Sequence, residues 1–118
     1  MTLATNDSAI IQSAIEGERS GDQQRIATAG QKLTATLLRK NADYGSSAWM
    51  PPVLAPGLPA KTAILVRMSD KIQRIISLSS KPEEIGEVVD ESLSDTFLDL
   101  AGYCLLHATC PTIEETPE

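Results

Sequence analysis

The stretch AKTAILVRMSDKIQRIISLS, residues 60–79, decides the fold. Ile64, Leu65, Met68, Ile72, Ile75 and Ile76 recur at steps of three and four, which predicts a helix with one broad apolar stripe. Arg67, Asp70, Lys71 and Arg74 fall together on the flank of that stripe at 100° per residue. An apolar stripe of this width needs a neighbouring element to cover it.

Working outward, the next helix is expected from Val88 or Asp90 to about Ala108. Leu93, Phe97, Leu100, Ala101 and Cys104 would form its apolar face, with Glu91, Asp95 and Asp99 on the opposite side. Its second half is apolar nearly all round, as in a helix buried among others or in a subunit interface. Residues 80–87 read as a connector, with Pro82 and Gly86. On the other side, residues 41–59 hold Gly45, Pro51, Pro52, Pro56, Gly57 and Pro59, so neither helix nor central strand is expected to run through them. A loop this long in so small a chain is unusual and tends to be functional or disordered, and its Trp49 favours an ordered loop packed on the body. Before it, Ser20 and Gln23 form a capping box that opens a helix running to about Lys40, with Ile26, Ala29, Leu33 and Leu37 on one face. A short helix is expected within residues 2–17. No strand-like alternation appears. The expected class is all-α: a compact bundle of three to four helices with a long Pro/Gly-rich loop, one domain over residues 1–118, its ends 1–5 and 111–118 frayed.

Composition narrows the function. The 118 residues carry 10 basic and 16 acidic side chains, a net charge of -6. Bulk nucleic-acid binding is not expected, because it needs a net excess of Lys and Arg to displace counterions. Tyr44, Trp49, Phe97 and Tyr103 are too few for a base-stacking platform. The longest apolar run falls far short of the ~20 residues that span a bilayer. Residues 1–3 carry no basic n-region and no apolar h-region follows, so no signal peptide is expected and a cytoplasmic location is. Cys104 and Cys110 on one helix would stand about 9 Å apart, too far to bridge. They read as idle thiols. His107 between them lacks the partners of a zinc site.

Glu91, Asp95 and Asp99 stand at i, i+4 and i+8, a line of carboxylates covering about 80° of a helix. Like charges at this spacing repel by a few tenths of a kcal/mol. Three answers are open: a solvated acidic face, pairing with Arg67, Lys71 or Arg74, or a Mg²⁺ ion held with Asp70 as a fourth ligand. The segment Arg39-Lys40-Asn41-Ala42-Asp43-Tyr44-Gly45 is a second candidate. A helix stop followed by an Asx-type turn explains Asn41, Asp43 and Gly45. It does not explain the bases or Tyr44, and Lys40 could meet a phosphate while Tyr44 stacks on a base.

Three motifs then come in one order: Lys40-Asn41-x-Asp43-Tyr44-Gly45; Arg67-x-Ser69-Asp70-Lys71-x-x-Arg74; and Asp90-Glu91-Ser92-Leu93-x-Asp95 with Asp99-Leu100-Ala101-x-Tyr103. Together they resemble the phage and bacterial family called nucleotide modification associated domain 1, over roughly residues 37–106. That family is itself similar to the MazG-like all-α nucleoside triphosphate pyrophosphohydrolases. The resemblance implies a helical core that handles a nucleotide in a homo-oligomer, in the host cytoplasm if the chain is phage-encoded. MazG-like enzymes hold Mg²⁺ with an E-x-x-E pair on one helix and an E-x-x-D pair on the next. Here Lys71 and Arg74 stand where further acid is wanted, and Glu91 and Asp95 are one residue further apart than that pattern.

Two functions follow. The first is a Mg²⁺-dependent nucleotide pyrophosphohydrolase, with Asp70, Glu91, Asp95 and Asp99 on the metal. The second is a sponge without turnover, in which Lys40, Arg67, Lys71 and Arg74 clamp a nucleotide immune signal, with Asn41, Asp43 and Tyr44 beside them. A helical interaction module without a ligand is the plain alternative.

Overall fold

The computed structural model describes residues 5–17, 19–80 and 86–111. The expected frayed ends and connector therefore fall largely outside the described residues. Four α-helices and one short 3-10 turn follow in order: α1, Thr5–Glu16; α2, Gly21–Tyr44; the 3-10 turn, Ser47–Trp49; α3, Ala60–Ser79; and α4, Gly86–Thr109. No strand occurs among the described residues, and the fold is all-α. By its internal contacts the chain divides into two units, Met1–Ala35 and Thr36–Glu118, with the boundary inside α2.

In the first unit the capping box is made in both directions. The Ser20 N–H donates to Gln23 Oε1 at 2.9 Å, and the Gln23 N–H donates to Ser20 Oγ at 3.2 Å. Two of the helix's orphan donors are thereby satisfied, a contribution of about 1 kcal/mol. The Arg25 guanidinium pairs with Asp22 one turn away. Both side chains are about four-fifths exposed, so this pair stabilises the unit little. The expected apolar face of α2 is covered in part: Leu33 and Leu37 are half-buried, while Ile26 is 73 % exposed.

The second helix does not stop near Lys40, as expected, but continues to Tyr44. Asn41, Asp43 and Tyr44 therefore belong to its last turn rather than to the loop. Gly45 supplies the stop, with φ of +64°, the left-handed geometry of a helix C-terminus. Asn41 Nδ2 donates to the Gly45 carbonyl at 3.2 Å and closes the end. Residues 52–58 then fold into consecutive turns, with Ala55 N–H on Pro52 O and Leu58 N–H on Ala55 O.

Helices α3 and α4 pack against each other. They are antiparallel, because a three-residue step forward along α3, from Lys71 to Arg74, meets a three-residue step back along α4, from Asp99 to Thr96. The inward positions of α3 are Ile64, Met68, Lys71, Ile75 and Leu78, all buried or half-buried. Those of α4 are Ser92, Thr96, Asp99, Tyr103 and Leu106, though Asp99 remains half exposed. Both sets alternate steps of four and three, the seam spacing of paired helices.

This seam corrects the expected face of α4 in part: Leu93, Leu100 and Ala101 are half-buried as expected. Phe97 was expected to point inward and is 53 % exposed, while Cys104 is exposed too. Asp99 was expected on the far side and meets α3 instead. Ser92, Thr96 and Gly102 are half-buried or buried, and the Thr96 hydroxyl donates to the Ser92 carbonyl at 2.6 Å. Hydrophobicity alone could not identify a seam whose first half is polar, Ser92, Thr96 and Asp99.

Candidate functional site

The expected site residues lie in three places. Lys40, Asn41, Asp43 and Tyr44 occupy the end of α2 and are exposed, Tyr44 by 72 %. Arg67, Asp70, Lys71 and Arg74 lie on α3. Glu91, Asp95 and Asp99 lie on α4. The hairpin brings part of the last two sets together. Lys71 Nζ stands 3.3 Å from Asp99 Oδ2, the one cross-helix ion pair among the described residues. Of the three answers open for the acidic line, pairing with a cation is therefore realised at Asp99. Glu91 and Asp95 are exposed and make no ion pair among the described residues.

One turn along, Arg74 meets a hydroxyl instead of a carboxylate. Its Nε donates to Thr96 Oγ1 at 3.1 Å. Thr96 is 2 % exposed, the one buried polar residue in the described core. Sequence reading missed it, because a threonine within an acidic and apolar helix carries no signal of its own. Its spacing from Ser92 and Asp99, four back and three on, is the clue that was present.

The loop is attached to the other end of the hairpin. The 3-10 turn packs on α3. The Trp49 indole Nε1 donates to the Leu106 carbonyl at 3.0 Å. Leu106 lies in the last turn of α4, where carbonyls lack helical partners, and the Cys110 N–H that could have served it bonds His107 instead. The indole therefore caps α4. The expectation that Trp49 holds the loop on the body is met by this bond.

The four carboxylates proposed for Mg²⁺ are not gathered in one chain. Among the described residues no group of three or more Asp, Glu, His or Cys side chains stands close enough to hold a metal ion. Asp99 is committed to Lys71. No hydrogen bond or ion pair among the described residues joins Lys40, Asp43 or Tyr44 to α3 or α4. Cys104 and Cys110 are free thiols. No described helix is long and apolar enough to cross a membrane.

The sequence from residue 40 to residue 108 matches the family model for nucleotide modification associated domain 1. The match takes in more than half of the chain, from the last turn of α2 to the end of α4. The chain belongs to this family. The family region thus contains every candidate site residue, the loop with Trp49, and the α3–α4 hairpin up to residue 108. Residues 1–39, with α1 and most of α2, precede it. No curated protein and no solved structure matches the chain.

Proposed function

We propose that this family member binds a nucleotide through the cationic flank of α3, with Arg74 and Lys71 taking phosphate oxygens and Arg67 one turn further along. The observation that carries the reading is the state of Arg74. Its guanidinium is held at one edge by a neutral hydroxyl, and no acid neutralises it among the described residues. A fixed cation of this kind suits phosphate, which takes two parallel N–H donors from Arg. The family's association with nucleotide modification supports the ligand class. Lys40 and Tyr44 would reach the ligand from the end of α2.

The protein is proposed to act as a homo-oligomer. Within α3 and α4, Leu65, Val66, Ile72, Ile76, Phe97 and Leu98 are each 45–53 % exposed. Ile64 is the one large side chain fully buried in the described core. A hairpin with so thin a core gains stability from a second copy that covers these residues.

Two readings of the bound nucleotide's fate remain. Retention without turnover, as in a phage sponge for a nucleotide signal, agrees with the Lys71–Asp99 pair and the dispersed acids. Mg²⁺-dependent pyrophosphohydrolysis of the MazG-like type agrees with the exposed, unpaired Glu91 and Asp95, and requires acids from another copy to complete the metal set. Incubating the protein with a nucleotide panel and Mg²⁺, then recovering ligands after denaturation, separates them. Intact retained nucleotide supports the sponge. Nucleoside monophosphate with pyrophosphate supports the hydrolase. A protein that shows neither retention nor turnover of any nucleotide contradicts the nucleotide reading.

A further inference from the structure

Lys71 and Arg74 stand about one turn apart on α3, yet α4 meets them with different chemistry: a carboxylate, Asp99, for the lysine and a neutral hydroxyl, Thr96, for the arginine. The hydroxyl has a single proton, which goes to the Ser92 carbonyl at 2.6 Å. Toward Arg74 it can therefore act only as an acceptor, and the Nε proton meets it at 3.1 Å. Thr96 is 2 % exposed, so this contact is sheltered from water, while Arg74 as a residue is exposed. The guanidinium reaches inward at Nε. Its four Nη protons have no partner among the described residues.

We infer that Thr96 is a positioning residue: it fixes the plane of the Arg74 guanidinium through Nε without cancelling its charge, so that the Nη edge is presented end-on to phosphate oxygens. This inference rests on the nucleotide reading above. A guanidinium is planar, so a bond at Nε restricts the rotation that an exposed arginine otherwise has. With Nε engaged, the side-on fork of Nε and Nη is closed and the end-on fork of the two Nη atoms remains. A carboxylate at position 96 would hold Arg74 as well but would neutralise it, as Asp99 does for Lys71. A valine would fill the same space and leave the arginine unheld. Burial of a hydroxyl is unfavourable unless it is bonded, and here both of its bonds are accounted for.

The test uses the full-length protein, with nitrogen-15 NMR of the arginine side chains and titration with inorganic pyrophosphate and with ATP. In the wild type, the Arg74 Nε–H should exchange with water more slowly than those of Arg39 and Arg67. Thr96→Val should remove that protection and Thr96→Ser should keep it. Thr96→Val should weaken binding of either probe about three- to tenfold, the size of an ordinary net hydrogen-bond contribution acting through Arg74. In an Arg74→Ala background, Thr96→Val should change binding no further. Wild-type Arg74 exchange as fast as that of Arg39 overturns the inference without any variant. So does a Thr96→Val loss of equal size in the Arg74→Ala background. A Thr96-dependent slow exchange in a wild type that binds neither probe shows instead that the nucleotide reading has failed and that the contact is structural only.

Discussion

The indole of Trp49 donates to the main-chain carbonyl of Leu106, 57 residues later in the chain, at 3.0 Å. This bond joins the Pro-rich segment to the last turn of α4. By the antiparallel register, Leu106 is level with Ile64 near the start of α3, the residue at the centre of the small core. One hydrogen bond thus closes the open end of the hairpin and brings the loop to it.

Trp49→Phe keeps an aromatic ring and removes the donor. We expect a loss of about 1 kcal/mol in chemical denaturation, because a part-buried carbonyl is left without its partner. The backbone around residues 47–58 should also become more sensitive to protease. An unchanged denaturation midpoint and cleavage pattern would show that the bond does not hold the loop.

Gly45 has φ of +64°, and a Cβ built there meets nothing within 4 Å. The cost of Gly45→Ala is therefore the left-handed backbone alone, about 1 kcal/mol. Thermal melting checks this. A variant as stable as wild type would mean that α2 ends elsewhere in solution.

The fold class and most of the helices were legible, because helical spacing and Pro/Gly clusters are local properties. The capping box at Ser20 was legible for the same reason. The extra turn of α2 was not, since Asn41 and Asp43 suit a turn and a helix end equally. The seam of α4 was also hidden. Its inward residues Ser92, Thr96 and Asp99 are polar, and their placement depends on small size and on partners in α3 that local spacing cannot reveal. Of the candidate site, the cations of α3 could be grouped by the helical step. The choice of Asp99 rather than Asp95 as a partner depended on the register between two helices.

The Lys71–Asp99 pair is 29 % and 53 % exposed on its two sides. A pair this wet should contribute no more than about 1 kcal/mol. Asp99→Asn is expected to lower stability by that amount in low salt and by less in high salt, where screening has already weakened the pair. Equal losses in both buffers would show that Asp99 acts through packing or hydrogen bonding instead. Asp95→Asn, which breaks no ion pair among the described residues, should leave the metal-free melting temperature unchanged or slightly raised by relief of i,i+4 repulsion.

The exposed apolar side chains of the hairpin give a prediction about assembly. Light scattering at micromolar concentration should show a multiple of the 12.6 kDa chain. A double variant, Ile76→Glu with Phe97→Glu, should shift it toward a smaller species while the helical circular dichroism is kept. A wild type that runs as a 12.6 kDa monomer would contradict the proposed homo-oligomer.

The central claim is that the cations of α3 hold nucleotide phosphates, and calorimetric titration of ATP tests it most directly. Wild type and Arg74→Gln should be compared in the presence of Mg²⁺ and again with chelator, with circular dichroism confirming the fold of each. Wild-type protein should bind, and Arg74→Gln should bind about tenfold or more weakly in both buffers, because a charge-assisted contact to phosphate has been lost. Equal affinities for the two proteins, or no binding by either across a panel of nucleotides, would contradict the account.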